Sequence, residues 1–442
     1  MHRVIFALGL MVSLCAGAVA GEEKTVLSLP DAVSRAVSVS RQVKQARHDV
    51  DLQTVMKLKD FAYMSPKVTF NYSDTLFKPP IIVQNSMFGP NPITIRPEEL
   101  KVGSMTIAQP LSAMIGFMLQ ARVDALKEGA SKSLLESSKR DVAFAAAAVY
   151  RQVQLVSKKH EIAKRRLENA LRQQEDAKVH FELGRMTKRD MLRLGLLVGK
   201  AKVELVATKA EVEMTEAAFW EALDYRGKTH FELETLKDGS ALIEFEIPAL
   251  EEAQRMAMKN RPEIDAARLS KEAMGEGAWF SIAPLLPDVN GFFKVEHYFN
   301  NPGSLSVPTT KTAGFTVNWP IWDGGLNLLN TRMASIGRSK ARLAWVEAQR
   351  KISLEVQQKR AELLAIKETF LLQKEAYAQA EESYKAANEL FSLGSSTVTE
   401  FLLSEEALNT AKVDLAKALN DFDVKNMALQ KAMGQPLPST IL

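Results

Sequence analysis

Cysteine is almost missing from this chain: Cys15 is the only one in 442 residues. No disulfide framework and no thiol chemistry can be built on that. The six histidines are scattered, with no pair at metal-ligand spacing, so no metal site is expected. No nucleophile elbow and no dinucleotide glycine motif is present. The run Gly195 to Ala201 resembles a phosphate loop, but it is one residue short and lacks the Ser or Thr that holds magnesium. An enzyme is therefore not expected, nor a cofactor. An excess of one charge sign is also missing. The 57 basic and 53 acidic residues are interspersed, which argues against the concentrated basic face of a nucleic-acid binder. Beyond residue 20 no run of about 18 apolar residues occurs, so a membrane-crossing helix is excluded. A chain of this kind can span a membrane only as a closed β-barrel.

What is present begins with a leader. His2 and Arg3 precede the apolar stretch Val4 to Leu14, and Ala18, Val19 and Ala20 supply a small-residue cleavage site before Gly21. Residues 1–20 read as a secretory signal peptide. Leu14 stands where a lipoprotein signal needs a small residue before its cysteine, so the exported chain is expected to be unlipidated and free of cysteine.

The rest of the sequence is written twice. Ala36, Arg47, Pro66 and Val68 recur as Ala257, Arg268, Pro287 and Val289. Pro110, Phe181, Leu183, Gly184 and Thr187 recur as Pro320, Phe391, Leu393, Gly394 and Thr397, with the spacing about 11 residues shorter. That indel falls in the Pro- and Asn-rich stretch Lys78 to Pro97, a surface loop by composition. The expected division is a leader at 1–20, a first repeat at 21–226, a linker at 227–247, a second repeat at 248–434 and a tail at 435–442. Each repeat reads as a helix, two short strands, a long helix, a glycine turn and a further helix. The first helices span Pro30–Tyr63 and Ala249–Ala283, and the long ones Leu111–Phe181 and Ile321–Phe391.

The strands alternate. Val68, Phe70 and Tyr72 interleave with Thr69, Asn71 and Ser73, while Val289, Phe293 and Val295 share a face opposite Asn290, Lys294 and Glu296. Ala313, Phe315, Val317 and Trp319 alternate with polar partners, and Met105 with Ile107 continues the theme. Runs of about 9–12 residues suit tilted strands with lipid on one face and water on the other. A half-buried soluble sheet has the same period.

The helices carry heptads. Val198, Leu205, Val212 and Phe219 match Leu408, Leu415, Phe422 and Leu429, with Ala201 and Ala222, and Ala411, Ala418 and Ala432, alongside. Val356, Leu363, Phe370, Tyr377, Tyr384 and Phe391 form one long-helix row. Val142, Val149, Val156, Ala163, Ala170 and Ala177 form the other. Such rows specify closely packed coiled coils. A long helix of about 71 residues spans roughly 105 Å, nearly the sum of the two shorter helices of its repeat. The fold class is mainly α with a small β part: duplicated long antiparallel helical hairpins with strands at one end and glycine turns at the other.

Three segments carry a family resemblance over residues 27–434. They are Arg261-Pro262-Glu263-Ile264 with Leu286-Pro287, the turn Phe391 to Thr397 with its twin Phe181 to Gly184, and the junction Trp319 to Gly325. With the duplicated order of elements, the chain resembles the TolC-like outer-membrane efflux family. The resemblance implies a homotrimer whose four strands per chain close a 12-stranded barrel, with the helices continuing as a coiled-coil α-barrel. It also implies a periplasmic adaptor, an inner-membrane pump, outer-membrane lipid around the barrel and a Gram-negative host. The job implied is passive conduction of the pump's cargo, in efflux or type I secretion. The competing reading is a secreted periplasmic coiled coil of structural or adaptor type, whose strands form a soluble cap.

At the turns, Gly184 and Gly394 are expected to end the long helices in the left-handed conformation. Thr187 with Asp190, and Thr397 with Glu400, have capping-box spacing. The resemblance makes this turn the periplasmic aperture and Glu400 a lining candidate, with Leu403 where some members carry a second acid. Arg185, Lys188, Arg189 and Arg193 read either as a solvated helix end, as an adaptor-docking patch, or as partners in a salt-bridge network that closes the tip. Lys294 and Glu296 would face the lumen of the barrel.

Overall fold

The computed structural model describes residues 26–83, 92–225, 232–234, 246–300, 307–393 and 395–436. The leader, most of the 227–247 linker, the tail beyond 436 and Gly394 lie outside the described residues. The chain runs β1 (Val26–Leu27), α1 (Leu29–Val39), α2 (Arg41–Met64), β2 (Lys67–Leu76), β3 (Ile81–Val83), β4 (Ile93–Arg96) and β5 (Glu99–Pro110). Then come α3 (Ala113–Glu182), α4 (Lys188–Ala222), β6 (Glu232–Leu233), α5 (Leu250–Asn260) and α6 (Pro262–Phe280). The second repeat finishes with β7 (Asp288–Tyr298), β8 (Thr309–Asn318), α7 (Leu326–Ser392) and α8 (Val398–Ala432).

Each expected first helix is in fact two. The break falls at Ser40 in one repeat and Arg261 in the other, equivalent positions 221 residues apart. Pro262 explains the second break: its ring disfavours helical backbone at the preceding residue, and Arg261 is extended at φ −80°, ψ 123°. At the first, the Ser40 hydroxyl accepts from the Val43 N–H at 3.4 Å and starts a new helix. The second long helix also begins later than its apolar spacing suggests. Gly324 and Gly325 take positive φ of 73° and 86°, and the Asp323 carboxylate accepts from the N–H groups of Gly325 and Asn327 at 3.0 and 2.8 Å.

At 70 residues, α3 is roughly 105 Å long. It packs on α2 over one stretch and α4 over the other, and α7 does the same with α5 and α6 and then α8. The heptad rows are where these helices meet. Val156, Ala163, Ala170 and Ala177 are buried on α3, as are Val356, Leu363 and Phe370 on α7 and Leu408, Phe422 and Leu429 on α8. Ala222, expected in the companion row, is exposed because Leu223 takes the inward position at the helix end. Helix α3 also touches α6 and α8, which joins the repeats side by side. Among the described residues no helix is long and apolar enough to cross a membrane.

The main sheet has the order β2-β5-β7-β8, antiparallel throughout. Its register puts Val68, Ile107, Phe293 and Ala313 in one cross-strand row, and Phe70, Met105 and Val295 in another. The alternate row is Thr69, Thr106, Lys294 and Thr312. One face is therefore mainly apolar and the other mainly polar, with Lys311 of β8 opposite Val295 on the apolar side and Phe292 of β7 opposite Ala108 on the polar side. Both outer strands, β2 and β8, are solvent-exposed almost throughout, and among the described residues neither has a partner on its outer side.

Candidate functional site

The two long helices end at the same extremity, and each end carries the same backbone hydrogen bond; the expected left-handed conformation of Gly394 lies outside the described residues. Gly184 takes φ 69°, and the Arg185 N–H donates to the His180 carbonyl at 2.8 Å. In the second repeat the Ser395 N–H donates to the Leu390 carbonyl at 2.8 Å. These six-to-one bonds satisfy carbonyls that a helix end leaves free.

The caps that follow differ. In the second repeat the box is complete: the Glu400 N–H donates to the Thr397 hydroxyl at 3.2 Å, and the Thr397 N–H donates to the Glu400 carboxylate at 3.0 Å. The Ser396 hydroxyl adds a donation at 2.8 Å. The Thr397 N–H, with Ser396 behind it, holds the Glu400 carboxyl below the usual range. The first repeat forms only half of the expected box. Thr187 accepts from the Asp190 N–H at 3.2 Å, but the Asp190 carboxylate takes the Thr187 hydroxyl at 2.7 Å instead of its N–H. Aspartate is one methylene shorter than glutamate, which accounts for the missing reach.

The two tips touch. Phe401 is fully buried between them, stacked on Phe391 at 4.8 Å and surrounded by Ala177, Leu194 and Val398. Arg193, placed with the basic patch from sequence, instead crosses to donate to the Thr399 hydroxyl at 2.7 Å and sits 3.7 Å from Asp190. Arg185, Lys188 and Arg189 are exposed, and among the described residues they form no ion pair. Leu403 and Leu393 are exposed beside them.

Sequence reasoning passed over the charged residue that ties the hairpins together. Arg166 of α3 is buried between α4 and α8. Its Nε and Nη2 donate to both oxygens of Glu405 at 3.1 Å, its Nη1 donates to Glu204 at 2.7 Å, and Nη2 also meets Glu406. Burial pushes the Glu405 carboxyl up, against the pull of Arg166. The one available signal was position: Arg166 stands three residues after Ala163, inside the seam. A second buried pair, Arg151 and Asp423 at 3.4 Å, joins α3 to α8 farther from the tip.

The Arg261-Pro262-Glu263 segment forms a third joint. Arg261 donates to Glu263 at 2.8 Å and to Glu355 of α7 at 2.5 Å, and Ser137 of α3 donates to Glu263 at 2.9 Å. Against the cost of burial, Arg261 and Ser137 hold the Glu263 carboxyl at about 2.

At the other extremity, Lys294 and Glu296 share the polar face of β7 and pair at 2.7 Å. Trp319 and Trp322 are exposed below β8. The Gly195 to Ala201 run lies inside α4, where no phosphate can be cradled. Among the described residues no cluster of three metal-ligating side chains occurs.

Residues 254–435 match the family described as outer membrane efflux protein. No curated protein matches the chain. Among solved structures, CusC is similar at a TM-score of 0.78 and 14% identity, with 96% of each chain covered. The outer membrane protein VceC of Vibrio cholerae gives 0.75 and 14% identity, covering 93% of this chain and 97% of that one. The open-state MtrE outer membrane channel of Neisseria gonorrhoeae gives 0.74 and 15%, covering 96% and 94%. At these identities the likeness is one of fold.

Proposed function

We propose that this chain, whose residues 254–435 belong to the outer membrane efflux protein family, is a trimeric outer-membrane duct of a tripartite efflux or type I secretion system. The observation that carries the reading is the sheet with two open edges. An unpaired edge with an apolar face in water invites aggregation, and closure is the one arrangement that removes both edges. Four strands are below the smallest membrane barrels, of about eight, whereas three copies bring twelve.

The helices support the same closure. Leu329, Ile336 and Leu343, spaced by seven on α7, are exposed on the flank that continues β8. Leu52, Val55 and Phe61 of α2 are exposed on the flank that continues β2. In a ring, each α7 stripe meets the α2 stripe of the next copy below the β8–β2 seam. The apolar strand face then meets lipid, Trp319 and Trp322 lie at the interface, and Lys294 and Glu296 face the lumen as a neutral pair.

The helical part extends into the periplasm and ends at the turns, where Glu400 lines the aperture. Arg185, Lys188 and Arg189 dock the adaptor that links the duct to an inner-membrane pump. The duct conducts passively and takes part in no reaction. Reversing these three charges should weaken adaptor binding, and raising salt should weaken the unaltered pair by screening. Equal binding at low and high salt would remove the docking role.

Fractionation tests the whole. Expressed with its leader in a Gram-negative host, the chain should appear in the outer-membrane fraction and require detergent for release. A detergent-free periplasmic protein would favour the secreted coiled coil.

A further inference from the structure

The upper part of the α6–α7 seam departs from the duplication. In the first repeat, Glu128 of α3 is paired with Lys57 of α2 and with Lys132, so that seam is charge-compensated. The equivalent positions in the second repeat, offset by 210 on the long helix and 221 on the short one, are Arg338, Ala278 and Arg342. An acid has become an arginine, its lysine partner an alanine, and the second cation remains. The seam stays open here as a cleft of 760 Å³ lined by Lys271, Ser335, Arg338, Ser339, Arg342 and Trp345.

The groups in this cleft that lack a partner among the described residues are donors: the solvent-exposed guanidiniums of Arg338 and Arg342 and the buried Trp345 Nε1–H. Among the described residues neither Arg338 nor Arg342 forms an ion pair. The Trp345 Nε1–H is buried without an acceptor. The Lys271 ammonium rests 4.2 Å from the Trp345 ring centre. Glu272, the one acid on the wall, is held by Arg268 at 3.1 Å. Buried indole N–H groups are normally hydrogen-bonded, and facing cations repel unless an anion lies between them. The missing complement is an acceptor carrying negative charge.

We propose that this cleft is a binding site for a small soluble anion bearing a phosphate or carboxylate group. The two guanidiniums grip the oxygens and the Trp345 N–H supplies a directional donor. A lipid headgroup does not fit, because Arg338 lies 12 residues beyond Leu326, roughly 18 Å along α7 from the base of the sheet. The site does not depend on what the duct exports.

The test titrates inorganic phosphate into the detergent-solubilised full-length protein, followed by calorimetry and by indole fluorescence. The paired substitution Ala278→Lys with Arg338→Glu rebuilds the first-repeat ion pair and keeps the fold's own solution to this seam. Saturable phosphate binding by the unaltered protein, weakened tenfold or more in that variant, is the expected result. Arg342→Gln should weaken binding as well, which covers failure of the double variant to fold. Trp345→Phe should abolish the fluorescence change. Absence of saturable binding, or equal affinity in these variants, overturns the site.

Discussion

Arg166 and Glu405, 239 residues apart in the chain, face each other fork to fork, with two hydrogen bonds of 3.1 Å and both side chains largely buried. This contact fastens α3 of the first hairpin to α8 of the second, 15 residues above Phe181 at the end of α3. Removing Arg166 leaves Glu405 buried and unpaired, at a cost of about 3–5 kcal/mol. Arg166→Ala should therefore lower the thermal midpoint of the helical part and speed hydrogen exchange in the lower turns of α3 and α8. Unchanged exchange there would show that the apolar seam holds the hairpins without it.

Glu263 makes the stability of the upper joint depend on acid. Its folded value of about 2 lies below the ordinary 4.5, so its contribution is complete above pH 4.5 and is lost as pH falls from there towards 2. The shift corresponds to roughly 3 kcal/mol. Glu263→Gln should flatten the acid limb of a melting-temperature profile over that window. A profile of unchanged slope would assign the acid sensitivity to other groups.

The unequal caps predict unequal tips. Thr187→Ala and Thr397→Ala should each cost about 1 kcal/mol in local helix stability. Glu400→Ala should release the Thr397 amide, and Asp190→Ala should leave the Thr187 amide as it was, because only Glu400 reaches back to a backbone N–H. Amide exchange at positions 187 and 397 reads the difference.

The two faces of β2 should respond oppositely to the same substitution. Phe70→Lys puts an ammonium on the apolar face, at about 2–4 kcal/mol near the bilayer midplane, while Asn71→Lys faces the polar side and should be nearly neutral. Yield of assembled protein from membranes measures both. Equal tolerance would argue that the apolar face does not meet lipid.

Much of this architecture is legible in the sequence because it repeats. Heptad rows such as Val356, Leu363 and Phe370, and the alternation of Val68 to Tyr72, follow from local periods of seven and two and reappear as buried seams and a two-faced sheet. What escapes is what periodicity cannot weigh. Ser40 and Arg261 break helices whose apolar spacing runs straight through, since a cap and a proline act on the backbone and leave the pattern intact. Arg166 and Arg151 are polar letters at inner positions, and their cross-repeat partners Glu405 and Asp423 lie 239 and 272 residues away, so these two pairs emerge only once the repeats are side by side. Arg193 looked like one of four surface cations until the second tip came within reach of it.

The most direct measurement is the subunit count of the protein extracted from outer membranes in detergent. The open edges of β2 and β8 predict a trimer, seen as a band near three times the mass of the chain on an unboiled gel, collapsing to one on heating. A detergent-extracted monomer with the same mass before and after boiling would contradict closure of the barrel, and with it the duct.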